Sequence, residues 1–184
     1  MEKVALVAVG DGAARWLDSV SDLLGHHLGC STHVLPTSLD VAPFHDRARD
    51  QYLAAPMLAA LEEMRPLEMS RVLGVTMADL FSPVLTYVFG EAHLEGTAAV
   101  ISVHRLHPQA YGIVGNGAVA SDRVLKEAIH EIGHTYGLIH CQDFSCVMRA
   151  SRVAEEVDLK AHGFCPACAD GLLKRGLEPS RRRP

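Results

Sequence analysis

No apolar run in this chain of 184 residues reaches the roughly 20 needed to cross a bilayer, so a membrane-spanning role is not expected. Positive charge is also in short supply. Lys and Arg number 17 against 22 Asp and Glu, a net charge of −5, which argues against nucleic acid as the main partner. The one basic cluster, Arg181 to Arg183, reads as a solvated tail. The chain opens without an apolar leader, which favours a reducing, cytoplasmic setting and disfavours disulfides among its five cysteines. Gly10 and Gly12 lack the third glycine of a dinucleotide fingerprint, because Arg15 stands in its place.

What remains is enough for a folded core. Hydrophobic residues make up 48% of the sequence, and one domain over residues 1–184 is the simplest count. Val4 to Val9 reads as a buried strand. Trp16, Leu17, Val20, Leu23, Leu24 and Leu28 then keep helical spacing up to Gly29, and Thr32 to Leu35 returns as a strand. A strand, helix, strand order favours parallel pairing. Residues 39–49 look irregular, and Tyr52 to Met64 forms a second amphipathic helix before Pro66. Further strands are expected at Ser70 to Thr76, Leu85 to Phe89 and Ala98 to Val103, with a loop at Asp79, Ser82 and Pro83. A glycine-rich segment, Tyr111 to Ala120, leads to a helix over Asp122 to Tyr136 with Ser121 as its N-cap. Gly171 to Leu177 can form a short closing helix.

The chemistry is concentrated after residue 129. His130 and His134 are four apart, so on a helix both imidazoles point from one face and can share one Zn²⁺ at about 2.0 to 2.1 Å. Gly137 is placed to end that helix in a left-handed turn, after which His140 can return as a third ligand and leave the fourth position for water. Glu131, next to the first ligand, can take a proton from that water. With 11 His and 15 Gly in the chain, the five-residue core would arise by chance about 0.04 times, and the added glycine and third histidine lower this to roughly 0.0002.

A second pattern starts at the next residue. Cys141 and Cys146 are separated by four residues, and Cys165 and Cys168 by two, as in a four-thiolate zinc site. Two disulfides or four packed thiols are the other readings of the same residues. If both sites hold metal, two zinc ions per chain would lie on the order of 10 Å apart, because His140 and Cys141 are consecutive. Cys30 is left over as a buried apolar thiol, while His104 and His107 read as isolated histidines.

The run His130, His134, His140, Cys141, Cys146, Met148, Cys165 and Cys168 resembles the archaemetzincins, a branch of the metzincin zinc metallopeptidases. The stretches Gly74 to Thr76, Phe89 to Ala92 and Val100 to Ser102 are similar more loosely. The resemblance implies an α/β metzincin-like fold: a mixed twisted sheet with packing helices and a zinc helix in residues 1–140, then a Met-turn and zinc-bound segment in 141–184. It also implies Met148 as the methionine beneath the catalytic zinc. No fifth protein ligand is expected, since Arg149 and Ala150 follow where some metzincins carry a ligating tyrosine. Peptide or protein substrate is implied against an exposed strand, here Ala98 to Val103, by main-chain pairing. The expected function is therefore zinc-dependent peptide-bond hydrolysis with Glu131 as general base. A latent or non-catalytic zinc-stabilised binding protein, hydrolysis of a non-peptide amide, and end-directed aminopeptidase action stay open, as does the oligomeric state.

Overall fold

The computed structural model describes residues 2–112 and 117–179. Gly115 and Asn116 of the glycine-rich segment and the Arg181 to Arg183 tail lie outside the described residues.

The centre of the molecule is β1 (Lys3–Val9), whose residues after Lys3 are all buried, as expected for a strand covered on both faces. Alternation along it sorts the core. Val4, Leu6 and Ala8 join one apolar cluster, and Ala5, Val7 and Val9 join the other. Helix α1 (Ala14–Leu28) ends at Gly29, whose φ of 63° and N–H bond to the Gly25 carbonyl form a left-handed stop. Strand β2 (Ser31–Leu39) then pairs in parallel with β1. It runs past Leu35, the expected end of this strand, and through Pro36. The pairing register shifts between Leu6 and Ala8, and the proline sits opposite that irregularity on an edge strand, so its missing N–H interrupts no regular ladder.

Helix α2 (Ala54–Met64) packs Met57, Leu58 and Leu61 on the other face of the sheet. The segment before it is less irregular than expected. Strands β3 (His45–Asp46) and β4 (Gln51–Leu53) pair antiparallel, and β4 pairs in parallel with β6 (Leu80–Phe81), which lies in the expected loop. The main sheet continues through β5 (Arg71–Thr76), β7 (Gly90–Ala92) and β8 (Ala98–Ser102) in the order β2-β1-β5-β8-β7. Within this sheet, among the described residues, only β7 runs antiparallel to its neighbour.

Two expectations fail here. Leu85 to Phe89 is not a strand, because Pro83 begins a turn closed by a Ser82–Leu85 bridge and leaves Val84 and Leu85 exposed. Nor is Ala98 to Val103 the exposed strand: β8 is held between β5 and β7, and β7 is the edge.

Helix α3 (Gly117–Thr135) starts earlier than its expected cap. Ser121 lies inside it, and its hydroxyl donates to the Gly117 carbonyl at 3.0 Å. At the other end, Leu138 N–H bonds to Gly133 O and Gly137 N–H to His134 O, a Schellman stop with Gly137 at φ 79°. Two short helices follow, α4 (Ala154–Asp158) and α5 (Pro166–Leu173). The closing helix therefore begins earlier than expected, with Pro166 in its first turn and Cys165 as cap. One buried cluster includes residues from Val4 through Phe164 to Leu177, so the C-terminal segment shares the main core. Among the described residues no helix is long and apolar enough to cross a membrane.

Candidate metal and active site

Helix α3 and its Schellman turn bring His130, His134 and His140 together, with one ring nitrogen of each lying within 4.8 Å of the others. His130 is buried beneath the turn that follows the cysteine loop, and its Nδ1 lies 2.8 Å from the Val147 carbonyl. Nδ1 of His134 lies 2.6 Å from the Leu138 carbonyl. A carbonyl can only accept, so each Nδ1 carries the proton and each Nε2 is a bare lone pair. These two Nε2 atoms face each other at 3.0 Å. Neutral imidazoles in these tautomers cannot bond to one another there, whereas two ligands of a tetrahedral zinc at 2.0 to 2.1 Å are separated by about 3.3 Å. The donor set therefore fits a cation. Burial, foremost, lowers the pKa of all three imidazoles, with the Lys160 charge adding to it, which keeps them in the neutral form that ligates.

Glu131 is buried beside the triad. Burial pushes its carboxyl well above the usual range, Glu127 pushes the same way, Lys160 opposes, and Glu91 raises it further. A dication held by the histidines would pull it back down. The room for this side chain comes from β7: a Cβ on Gly90 would sit 2.6 Å from Glu131 Cγ and 2.8 Å from the Val100 carbonyl. Met148 is fully buried, and its Sδ occupies the space where Gly133 has no side chain, between the two helical histidines. Its carbonyl accepts the Cys141 N–H at 2.9 Å, which ties the turn to the start of the cysteine loop.

The four sulfurs of Cys141, Cys146, Cys165 and Cys168 also lie within 4.8 Å of one another. All four cysteines are free, and Cys141 and Cys165 are 3.7 Å apart at sulfur, far from the 2.05 Å of a disulfide. Four thiolates at 2.3 Å from a zinc would be separated by about 3.75 Å. Backbone N–H groups of Cys165 and Asp143 point at the sulfurs of Cys146 and Cys141. Burial pushes the Cys146 thiol up to about 11. Burial acts the same way on Cys165, but hydrogen bonds from Cys168, Cys141 and Cys146 outweigh it and leave that thiol lowered. Four sulfurs at this spacing, two of them receiving backbone N–H groups, are a set that a dication would complete. Cys30 stands apart, buried, with its thiol raised to about 11 by burial.

The sequence did not reveal the groups that brace this site. Lys160 donates to Glu127 Oε1 at 2.8 Å with both side chains at most 5% exposed, and it also reaches the Arg149 carbonyl at 3.2 Å. Glu127 lies one turn before Glu131 on α3, so this pair joins that helix to the residue after Met148. Lys160→Met is expected to cost about 3–5 kcal/mol, because it strands a buried carboxylate. Lys160→Met combined with Glu127→Leu should recover most of that in denaturant unfolding. A single variant costing under about 1 kcal/mol would show that the pair is not needed.

The cleft has two cavities that meet at Gly90, Glu131 and His140. One, of about 370 Å³, lies toward Ala92, Leu94 and Ile139. The other, of about 450 Å³, lies toward Phe89, Ala150 and Arg152. Bonds from His93 N–H to Ala98 O and from Ser102 N–H to Phe89 O turn residues 89, 91 and 93 of the ladder toward β8. By the alternation of an antiparallel pair, the main-chain groups of Gly90 and Ala92 face outward along the cleft. His104 and His107 line neither cavity; the His107 ring accepts the Gln109 N–H and packs edge-on to Trp16.

The family model of peptidase family M54 matches residues 1–175. An archaemetzincin from Methanocaldococcus jannaschii is 38% identical over 176 residues, with 95% of each chain covered. The crystal structure of a zinc-dependent peptidase from Methanocorpusculum labreanum matches with a TM-score of 0.83 at 29% identity, covering 92% of this chain and 99% of that one. That of an archaemetzincin from Methanopyrus kandleri matches with a TM-score of 0.77 at 36% identity, covering 95% and 94%.

Proposed function

Because this chain belongs to peptidase family M54, the archaemetzincins, and is a zinc metallopeptidase, we propose that His130, His134 and His140 hold its catalytic zinc and that Glu131 is its general base. The observation that carries this is the pair of Nε2 lone pairs facing each other at 3.0 Å beside a buried carboxyl. Zinc in that site polarises the scissile carbonyl and activates a water. Everything else is work for the chain. The Val147 and Leu138 carbonyls hold the imidazoles in one tautomer. Glu131 accepts a proton from the attacking water and delivers it to the departing amine. Gly90 and Ala92 offer main-chain groups to a peptide lying along β7, a mode of binding that tolerates many side chains. Met148 fills the floor under the helix. The four cysteines take a second, structural zinc, so that residues 141–184 complete one domain with the rest.

Endopeptidase action is the reading we favour over end-directed action, because a cavity lies on each side of the triad. The test is metal analysis of purified protein together with cleavage of an unbiased peptide library. Two zinc per chain and internal cuts are expected. One zinc would overturn one of the two metal sites, cuts confined to the first residue would establish aminopeptidase action, and two zinc without cleavage would leave a metal-stabilised binding protein. Chelator is expected to strip the histidine site first and leave the fold standing, since that site keeps an open position.

A further inference from the structure

The two ends of the cleft differ in charge. Glu91 and Glu131 line the cavity toward Leu94, and no Lys or Arg does; Glu131 and Glu127 line the opposite cavity, but there Glu127 is paired with Lys160 and a guanidinium is added. Arg152 lines the opposite cavity and also a groove of about 710 Å³ that continues from it past Ala150, with Arg149 along its side. In a chain of net charge −5, neither of these guanidinium groups forms an ion pair with a carboxylate among the described residues. Arg149 lies over the Phe144 ring at 4.0 Å and donates to the Gln142 carbonyl. Arg152 is exposed and has no side-chain hydrogen bond among the described residues, yet its backbone is fixed on both sides. Its N–H donates to Glu156 Oε2 at 2.6 Å, and its carbonyl accepts from Tyr87 Oη at 2.6 Å. Glu156 is thus engaged with the main chain, and a charged fork is left on a fixed base beside the cleft.

A peptide running antiparallel to β7 would place its N-terminal part over Ala92 and Leu94 and its C-terminal part over Phe89 toward Arg152. The charge of the cleft then matches the polarity of a short peptide. We propose that Arg152 is a specificity-determining residue that binds a carboxylate on the leaving-amine side of the scissile bond, either the C-terminal carboxylate of the peptide or an Asp or Glu side chain. The proposal rests on the peptidase reading of the site, and it names short, free-acid or acidic peptides as the preferred class. Arg presents two parallel N–H donors to a carboxylate, a geometry that a neutral amide does not reward equally.

The test is peptide binding to zinc-loaded protein carrying Glu131→Gln, with and without Arg152→Gln. One N-acetylated peptide is compared as free acid and as C-terminal amide, and the amide form is scanned with Asp against Asn on the leaving-amine side. The carboxylate forms are expected to bind about 10- to 100-fold more tightly, and Arg152→Gln should abolish that preference while Arg152→Lys keeps part of it. Loss of binding in the amide alone assigns the chain terminus; recovery by one Asp assigns a side chain. Equal binding of acid and amide with no effect of Asp, a preference that survives Arg152→Gln, or no binding of any peptide overturns the proposal. Turnover of the same peptides by wild type is measured separately. Acid-selective binding without turnover would defeat the peptidase reading alone, and turnover without acid preference would defeat this proposal alone.

Discussion

Glu131→Gln is expected to lower peptide turnover by about 10²- to 10⁴-fold, the range that a positioned general base contributes. The substitution keeps the size of the side chain, so the space that Gly90 leaves beside Cγ stays filled. It removes only the ability to take and pass on a proton. His130 and His134 keep their carbonyl partners, which belong to Val147 and Leu138 and not to Glu131. Zinc content and melting temperature of the loaded protein should therefore stay near those of wild type. Steady-state cleavage with metal analysis on the same samples checks this. Turnover within about threefold of wild type would show that the proton goes elsewhere.

Cys146→Ser is expected to have the largest effect on stability. Cys146 is fully buried, and its sulfur accepts the Cys165 N–H. Structural zinc sites bind with about 10–16 kcal/mol in small peptides, while whole domains are stable by only about 5–15 kcal/mol. Forfeiting even a third of that binding would cost about 3–5 kcal/mol, which at about 2–4 °C per kcal/mol lowers the melting temperature by on the order of 10 °C. Zinc should fall by one equivalent. Activity should fall as well, because Cys141 directly follows His140 and its N–H is bonded to the Met148 carbonyl. Unchanged zinc content and melting temperature would remove the thiolate site from the account.

The histidine cluster was legible in the sequence because its geometry is local. His130 and His134 meet through helical spacing alone, and Gly137 marks the turn that returns His140. The central strands were legible for a related reason: Val4 to Val9 and the core of β5 are apolar throughout, which only burial on both faces explains. What the sequence hid depends on distant partners. Gly90 to Ala92 shows no alternation and is too short to stand out, and it is a strand only because β8 pairs with it. Leu85 to Val88 has the composition of a strand, but its apolar residues line the cleft, and only Tyr87 and Val88 also touch the edge of the core. Met148 beside Val147 looks like any core methionine, and only its fit against Gly133 sets it apart from one, so its place rested on family resemblance. Lys160 and Glu127 are 33 residues apart, and nothing near either predicts the other.

The open edge at β7 has a further consequence for how the protein keeps to itself. An unpaired strand edge is a template on which other chains can add. Here the template is only three residues long, and the chain turns away at once: Gly96 N–H closes on the His93 carbonyl, and Glu95 N–H is held by the His134 carbonyl at the end of α3. On the other side, the turn at Pro83 and the exposed segment after it separate the edge from β6. A single extended peptide can lie along so short an edge, but a growing intermolecular sheet finds no continuous ladder to extend. The shortness that hid this strand from the sequence is also what guards an exposed edge against self-association.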